Sequence, residues 1–430
     1  MKKITLYLLL SLGFLACNTK DVLLVTPPNE QGLKIDKVIN DSTIVLSWTK
    51  SEGTDFRQYR IARVATYLKN DKFASVYDTA FIGTDINITS FTETRMPLAN
   101  EITYFLFVDS VNVPRTITVS TVAYQRPNSV LFCMPTDVLF SKEHRHLYIT
   151  EQKKIHIVDY TTGRPVLSKE FPTGIGYCAL GVYNGSTELY VPLNDGWVEI
   201  LDPVSLDLKD RIYVAGFGIG SVLALNGKVF VSSSDRSFSG YSNCVKVFDR
   251  ASKSLLGRTG YWDQTRLVAL EGTAIEMIDL TLNIMPTGLS YYSFTPDGIP
   301  LTKKEDSYHG DFPISASIIR SFPDGSRFIT SSSGTIFNKS LVFDRYLKQY
   351  NNYNDSYTDF AFNDDGSIIY AANGPKKKID IIRYPTTTNT GNYPTKFFPY
   401  KLFRDGNSLI SVSMINLSQQ TYLQVENIKL

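Results

Sequence analysis

Three stretches near the end of the chain, SFPDGSRFITSSSG at 321–334, AFNDDGSIIYAANG at 361–374 and KLFRDGNSLISVSM at 401–414, carry one pattern. Each is an apolar strand, a turn containing Asp-Gly, and a second apolar strand. That dipeptide is a strong hairpin signal because the glycine supplies a positive φ at the turn. The three glycines, Gly325, Gly366 and Gly406, stand 41 and 40 residues apart. Looser copies lie upstream in FSKEHRHLYITEQ, YNGSTELYVPLND and LALNGKVFVSSS. A second string, a β-branched strand ending in a turn aspartate, recurs in KIHIVDYTTG, WVEILDPVS, VKVFDRAS and SLVFDRYLK. Its aspartates, Asp159, Asp202, Asp249 and Asp344, are separated by 43, 47 and 95 residues, so the last gap reads as two periods.

A period of roughly 40 to 47 residues with four short strands per unit is that of a β-propeller blade. Seven units are predicted over 127–430, starting near residues 135, 177, 221, 264, 315, 358 and 397. The fourth, least regular unit is assembled from RLVALEG, AIEMIDL, LSYYSFTPDG and IPLTKKEDSY. Too few residues remain before Leu430 for a fourth strand in the seventh unit. A strand in NSVLFCMP at 128–135 is therefore expected to complete it and to bury Cys133. The repeats resemble YVTN-type and lactonase-like propeller proteins, which share LYV-like second strands and V-x-V-I-D-like third strands.

Ahead of the repeats, seven short alternating segments occupy about 100 residues: LKIDKVI, STIVLSW, FRQYRIARV, SVYDTAFIG, SFTETRM, ITYFLFVDSV and TITVSTVAY. That is the strand count of an immunoglobulin-like sandwich. Trp48, Tyr59 and Tyr104 fall where residues 29–126 resemble a fibronectin type III domain. The resemblance implies that Trp48 and Tyr59 are core aromatics and that Tyr104 is a corner tyrosine bonded back to the chain. The fold class expected for the whole chain is all-β, an immunoglobulin-like sandwich plus a seven-bladed propeller.

The chain opens MKKITLYLLLSLGFLAC, with Lys2 and Lys3, an apolar run from Ile4 to Leu15, and Ala16 before Cys17. This is the layout of a secretory signal, too short for a membrane span of roughly 20 apolar residues. Phe14-Leu15-Ala16-Cys17 resembles the signals of Bacteroidetes lipoproteins. The resemblance implies removal of residues 1–16, acylation of Cys17 and permanent membrane attachment through its lipid chains. Residues 17–28, ending in Pro27-Pro28, then form a tether. The resemblance also places the protein at the outer membrane, with either face open.

Composition agrees with an all-β chain: aromatics make up 13% of residues, with 26 Tyr and 25 Phe. The formal charge of +2 falls to zero once Lys2 and Lys3 leave with the signal, so no basic surface for nucleic acid is expected. Cys133, Cys178 and Cys244 are widely spaced and read as buried free thiols.

Function in a propeller belongs to loops rather than to the repeat. Links between successive units contain GYWDQT at 260–265, SYHGDFP at 307–313 and NYNDSYTDF at 352–360. Tyr261, Trp262, Asp263, Tyr308, His309, Asp311, Tyr357 and Asp359 are thus candidates for one ligand-binding mouth. Rings beside carboxylates suit a sugar or a basic peptide. His144 and His146 in EHRH lack a second ligand cluster and read as hairpin residues. A G-x-S-x-G elbow is absent, and no catalytic residue, metal or cofactor is expected. The function expected is that of a non-enzymatic scaffold subunit binding an outer-membrane protein. Glycan binding through Tyr261, Trp262 and Tyr357 is one alternative, and metal-dependent lactonase-like hydrolysis another.

Overall fold

The structure, a computed structural model, describes residues 32–40, 42–69, 72–97, 99–112, 117–126, 130–216, 218–235, 244–308, 310–348, 353–417 and 420–430. The signal segment 1–16, Cys17, the tether 17–28 and His309 lie outside them. The described residues form β-strands throughout, with one short 3-10 turn at Tyr353–Asp355. No helix among them is long and apolar enough to cross a membrane. They divide between two compact units, one drawn from Met1–Ala65, Val76–Pro97 and Ile102–Tyr124, the other from Thr66–Ser75, Leu98–Glu101 and Gln125–Leu430.

In the first unit the strands Lys34–Asn40, Thr43–Ser47 and Ser90–Glu93 form a three-stranded sheet. The strands Lys72–Gly83, Phe56–Lys69, Glu101–Ser110 and Ile117–Gln125 are neighbours in that order. Alternation decides which side chains enter the core, since successive residues of a strand point to opposite faces. Ile102, Tyr104 and Leu106 are buried on one face, and Ile44 and Leu46 do the same on theirs. Trp48 packs on Tyr59 with ring centroids 5.5 Å apart. Tyr59 Oη accepts from Ser51 N at 2.7 Å and donates to the Ile86 carbonyl at 3.1 Å. Tyr104 Oη donates to Glu93 Oε2 at 2.6 Å, and Glu93 is also ion-paired with Arg63.

The second unit contains six four-stranded antiparallel sheets, each made of four strands consecutive in sequence. Sheet one comprises Asp137–Ser141, His146–Thr150, Lys154–Asp159 and Arg164–Glu170; sheet two comprises Ala179–Tyr183, Ser186–Pro192, Trp197–Leu201 and Leu208–Tyr213. Sheet three is Ile219–Leu225, Lys228–Ser233, Val245–Asp249 and Leu255–Thr259, and sheet four is Thr265–Ala269, Ile275–Thr281, Leu289–Phe294 and Pro300–Glu305. Sheet five is Ile319–Ser321, Arg327–Thr330, Thr335–Asn338 and Phe343–Tyr346, and sheet six is Tyr357–Phe362, Ile368–Asn373, Lys378–Arg383 and Thr388–Pro394. In a seventh set, Phe398–Asp405, Ser408–Leu417 and Gln420–Lys429 are followed by Val130–Phe132, with Leu131 opposite Leu423. Cys133 is buried beside that pairing, and its N–H donates to the Thr421 carbonyl.

Seven apolar clusters among the described residues hold these sheets together. Tyr148 and Leu189 meet between sheets one and two, Val198 and Val222 between two and three, and Phe230 and Met277 between three and four. Ile278 with Phe328, Ile329 with Phe360, and Tyr370 with Leu402 carry the series on to sheet seven. Val412 and Leu423 then pack with Val138 and Leu147 of sheet one. Burying one such side chain contributes about 1.5–3 kcal/mol, so each junction is substantial.

The turn chemistry explains the repeats and corrects one of them. Asp159 Oδ1 accepts from Thr161 N at 2.7 Å, Asp202 Oδ1 from Val204 N at 2.9 Å, and Asp249 Oδ1 from Ser252 N at 2.8 Å. Asp159 and Asp249 end third strands and Asp202 directly follows one, as their strings suggest. Asp344 does not: it lies in the fourth strand of sheet five, paired with Arg345 at 3.0 Å and accepting from Tyr384 Oη at 2.6 Å. The turn role there belongs to Asn338, whose Oδ1 accepts from Ser340 N and Val342 N, each at 3.1 Å. A Val-Phe-Asp string suits either strand, and only burial separates them, since Thr335–Phe337 are buried while Phe343–Tyr346 are half-buried.

Gly325, Gly366 and Gly406 have φ of 64°, 71° and 55°. A Cβ on Gly325 would lie 1.8 Å from the Glu271 carbonyl oxygen, whereas one on Gly406 would meet nothing within 4 Å. Gly406→Ala is therefore expected to cost about 1–2 kcal/mol, the left-handed penalty alone. Gly325→Ala should cost clearly more, because backbone must move as well. Thermal unfolding of the two variants side by side checks the order.

Candidate functional site

First strands are the buried edges of their sheets and fourth strands the exposed ones: Asp359 and Phe360 are buried on sheet six, for example, while Thr388–Pro394 is largely exposed. Five first strands each contribute one charged residue to a common cluster: Asp137 of sheet one, Arg266 of sheet four, Arg320 of sheet five, Asp359 of sheet six and Lys401 of sheet seven. Asp137 receives Arg266 Nη2 at 2.6 Å and faces Lys401 Nζ at 3.2 Å. Asp359 is gripped by Arg320 Nε at 2.9 Å and Nη2 at 2.5 Å, and accepts from Leu402 N at 2.9 Å. Arg266 Nη1 donates to the Ala316 carbonyl and Lys401 Nζ to the Ser317 carbonyl, both at 2.8 Å. The Tyr177 ring lies under Arg266 at 4.3 Å and the Phe403 ring under Arg320 at 4.7 Å.

Electrostatics follow from that packing. Burial presses the Asp137 carboxyl upward, but Arg266, Lys401 and Arg320 together hold it below the usual carboxylate range. Burial lowers the Lys401 ammonium despite Asp137 and Asp359, with Arg266 and Arg320 adding to the drop. Arg320 is opposed by burial and raised overall by Asp359.

Most of the described sequence candidates are engaged with other side chains. Asp359 joins the inner charge cluster, where it is ion-paired and buried. Tyr357 is buried between sheets five and six, with Lys348 Nζ 3.6 Å above its ring. Tyr308 packs edge-on against Phe312 at 4.6 Å, and its hydroxyl accepts from Phe343 N at 2.9 Å. Asp311 is exposed. Tyr261 is covered by Lys303 Nζ at 3.8 Å, Trp262 Nε1 donates to Glu305 Oε1 at 2.6 Å, and Asp263 accepts from Cys244 Sγ. Cys133, Cys178 and Cys244 are buried and form no disulfide among the described residues. His144 and His146 stand 6.2 Å apart, and no group of three or more metal-ligating side chains occurs among the described residues.

Beneath the Tyr261–Asp263 loop lies an acid that pattern reading passes over. Tyr261 N donates to Tyr292 Oη at 3.2 Å, and Tyr292 Oη donates to Asp279 Oδ2 at 3.0 Å. Asp279 is fully buried on the second strand of sheet four, and its Oδ1 makes no hydrogen bond. Burial pushes its carboxyl up to about 7, with the hydroxyls of Ser290 and Tyr292 pulling against it and the Glu305 charge adding to it. The only sequence signal is an aspartate inside the apolar run AIEMIDL. The arrangement can hold or release a proton near neutrality, behind a covering loop.

Repeated four-stranded meanders, joined face to face by apolar clusters, make this an all-β, propeller-like fold. Among solved structures it is similar to a chain of Kuenenia stuttgartiensis hydrazine synthase, a β-propeller protein, with a TM-score of 0.51 and 14% sequence identity. The likeness covers 69% of this chain and 95% of that one, and at such identity it concerns the fold alone. No protein-family profile matches the chain, and no curated protein does.

Proposed function

We propose that the chain is a non-enzymatic binding subunit of the outer membrane, anchored through lipid on Cys17. In this reading residues 29–126 are a fibronectin type III-like spacer and residues 127–430 a seven-bladed propeller that recognises an outer-membrane protein. The three-plus-four strand arrangement around Trp48 and Tyr59 supports the spacer. The junction of sheet seven with sheet one and the pairing of Leu131 with Leu423 support the propeller.

The observation that carries the binding role is apolar surface on the outermost strands. Leu167 of sheet one, Leu208 of sheet two, Leu255 and Leu256 of sheet three and Leu301 of sheet four are all exposed, each on a fourth strand. Exposed large apolar side chains on consecutive elements suit a protein surface, because a partner removes them from water. Glycan binding and lactonase-like hydrolysis stand behind this reading, since Tyr357 is buried and Asp359 is already held by Arg320.

The test is mild-detergent purification of the tagged full chain from its native membrane, beside a variant carrying Leu208→Glu and Leu256→Glu. A stoichiometric outer-membrane protein with the parent chain, reduced at least tenfold with the variant, is expected. A lone chain, or equal recovery of the protein by both forms, would overturn the reading.

A further inference from the structure

The inner charge cluster does not balance. Arg266, Arg320 and Lys401 contribute three positive charges, and Asp137 and Asp359 two negative ones, leaving an excess of one. Excess charge held away from bulk water is costly unless a counter-charge with good hydrogen bonds accompanies it.

Accessibility within the cluster is uneven. The carboxylates are closed in, with side chains 1% exposed at Asp359 and 4% at Asp137, and Lys401 is 4% exposed. The arginine side chains are the more reachable members, 29% exposed at Arg320 and 13% at Arg266. They also keep unused donors. Arg320 directs Nε and Nη2 to Asp359 and the Leu402 carbonyl, and Arg266 directs Nη1 and Nη2 to Ala316 and Asp137. Arg320 Nη1 and Arg266 Nε have no partner among the described residues. Each guanidinium is fixed by its carboxylate and by an aromatic face, Phe403 or Tyr177, so its free edge is held in place.

We propose that this cluster is a binding site for a small oxyanion, a carboxylate or phosphoryl group seated against Arg320 and Arg266. Planar guanidinium groups match two-oxygen acceptors, and charge-assisted bonds of this kind are about twice as strong as neutral ones. The anion cancels the excess charge. The two aspartates serve as braces that orient the arginines rather than as ligands. The site is independent of the outer strands on which protein binding would rest, so either can fail alone.

Isothermal titration of the purified full chain with inorganic phosphate and, separately, with succinate, at constant ionic strength, tests the site. Saturable binding of at least one probe is expected, and the tighter of the two tells phosphoryl from carboxylate preference. Removing Arg320 alone strands Asp359, so the variant of choice is Arg320→Gln with Asp359→Asn, which neutralises both and keeps hydrogen-bonding shapes. It should bind at least tenfold more weakly while keeping the parent's circular dichroism. Lys142→Gln, an exposed surface change, should leave binding unaltered. Absence of saturable binding of both probes to the parent chain would overturn the proposal, as would undiminished binding by the double variant.

Discussion

Asp359→Ala is expected to lower the stability of the second unit by about 3–5 kcal/mol, the range for removing one member of a buried ion pair. The carboxylate accepts three hydrogen bonds, two from Arg320 and one from Leu402 N. Its loss leaves the guanidinium uncompensated and raises the cluster's excess from one positive charge to two. The cost therefore comes from the groups left behind, not from the strength of the pair itself. Replacing both members, Arg320→Met with Asp359→Leu, should recover most of the loss, because well-packed apolar residues often substitute for a buried pair without penalty. Urea unfolding of the parent, Arg320→Met, Asp359→Leu and the double variant gives the coupling directly. A loss below about 1 kcal/mol for Asp359→Ala would place the pair in the class of solvated surface bridges.

Asp279 sets the second large effect, a dependence of stability on pH. An unfolded aspartate titrates near 3.9, and burial pushes this one up to about 7 in the folded chain. The folded state thus holds the proton more tightly than the unfolded state. Its contribution is complete below about pH 4 and is lost as pH rises, the loss ending once pH has passed through about 7. About three pH units of difference correspond to about 4 kcal/mol. Asp279→Asn keeps the shape, keeps an acceptor for Tyr292 and cannot ionise. At pH 8 it should be more stable than the parent by up to about 4 kcal/mol, and at pH 4 nearly equal to it. Chemical unfolding at the two pH values decides the matter: an asparagine effect that is the same at both would mean that Asp279 does not titrate in this window.

These two aspartates also mark what the sequence could and could not tell. Turn residues were legible because their role is local: Asp202 binds N–H groups two and three residues ahead, and Gly406 needs only its own φ. Local rules failed once, at Asp344, where an equally good strand one step later in the meander imitates the repeat. The inner cluster was hidden for a different reason. Asp137 and Lys401 are 264 residues apart, as 401 minus 137, and nothing short-range joins them. A signal did exist, a charged residue one to three positions from an aromatic in or next to a first strand, in TDVLF, IIRSF, YTDFAF and PYKLF. Asp359 was picked out as a loop acid without its partner, because a carboxylate in sequence says nothing about which arginine will cover it. Asp279 was missed because a single aspartate in an apolar run looks like a strand edge. Only its full burial turns it into a titrating group.

The pairing of Leu131 with Leu423 has a consequence for how the molecule is made. The two residues are 292 apart, as 423 minus 131, and every one of the six complete meanders lies between them. At about 5–20 residues per second, the early strand emerges from the ribosome some 15 to 60 seconds before its mate. One side of Val130–Phe132 is met in parallel by the earlier residues Leu68 and Lys69, but throughout that interval the other side, which faces Gln420–Lys429 in the finished fold, stays open to any strand. A chain bound for export would cross the inner membrane in that unfinished condition. Holding factors that shield short apolar segments would have their most natural foothold at this one place, and a prematurely terminated chain would keep it for good.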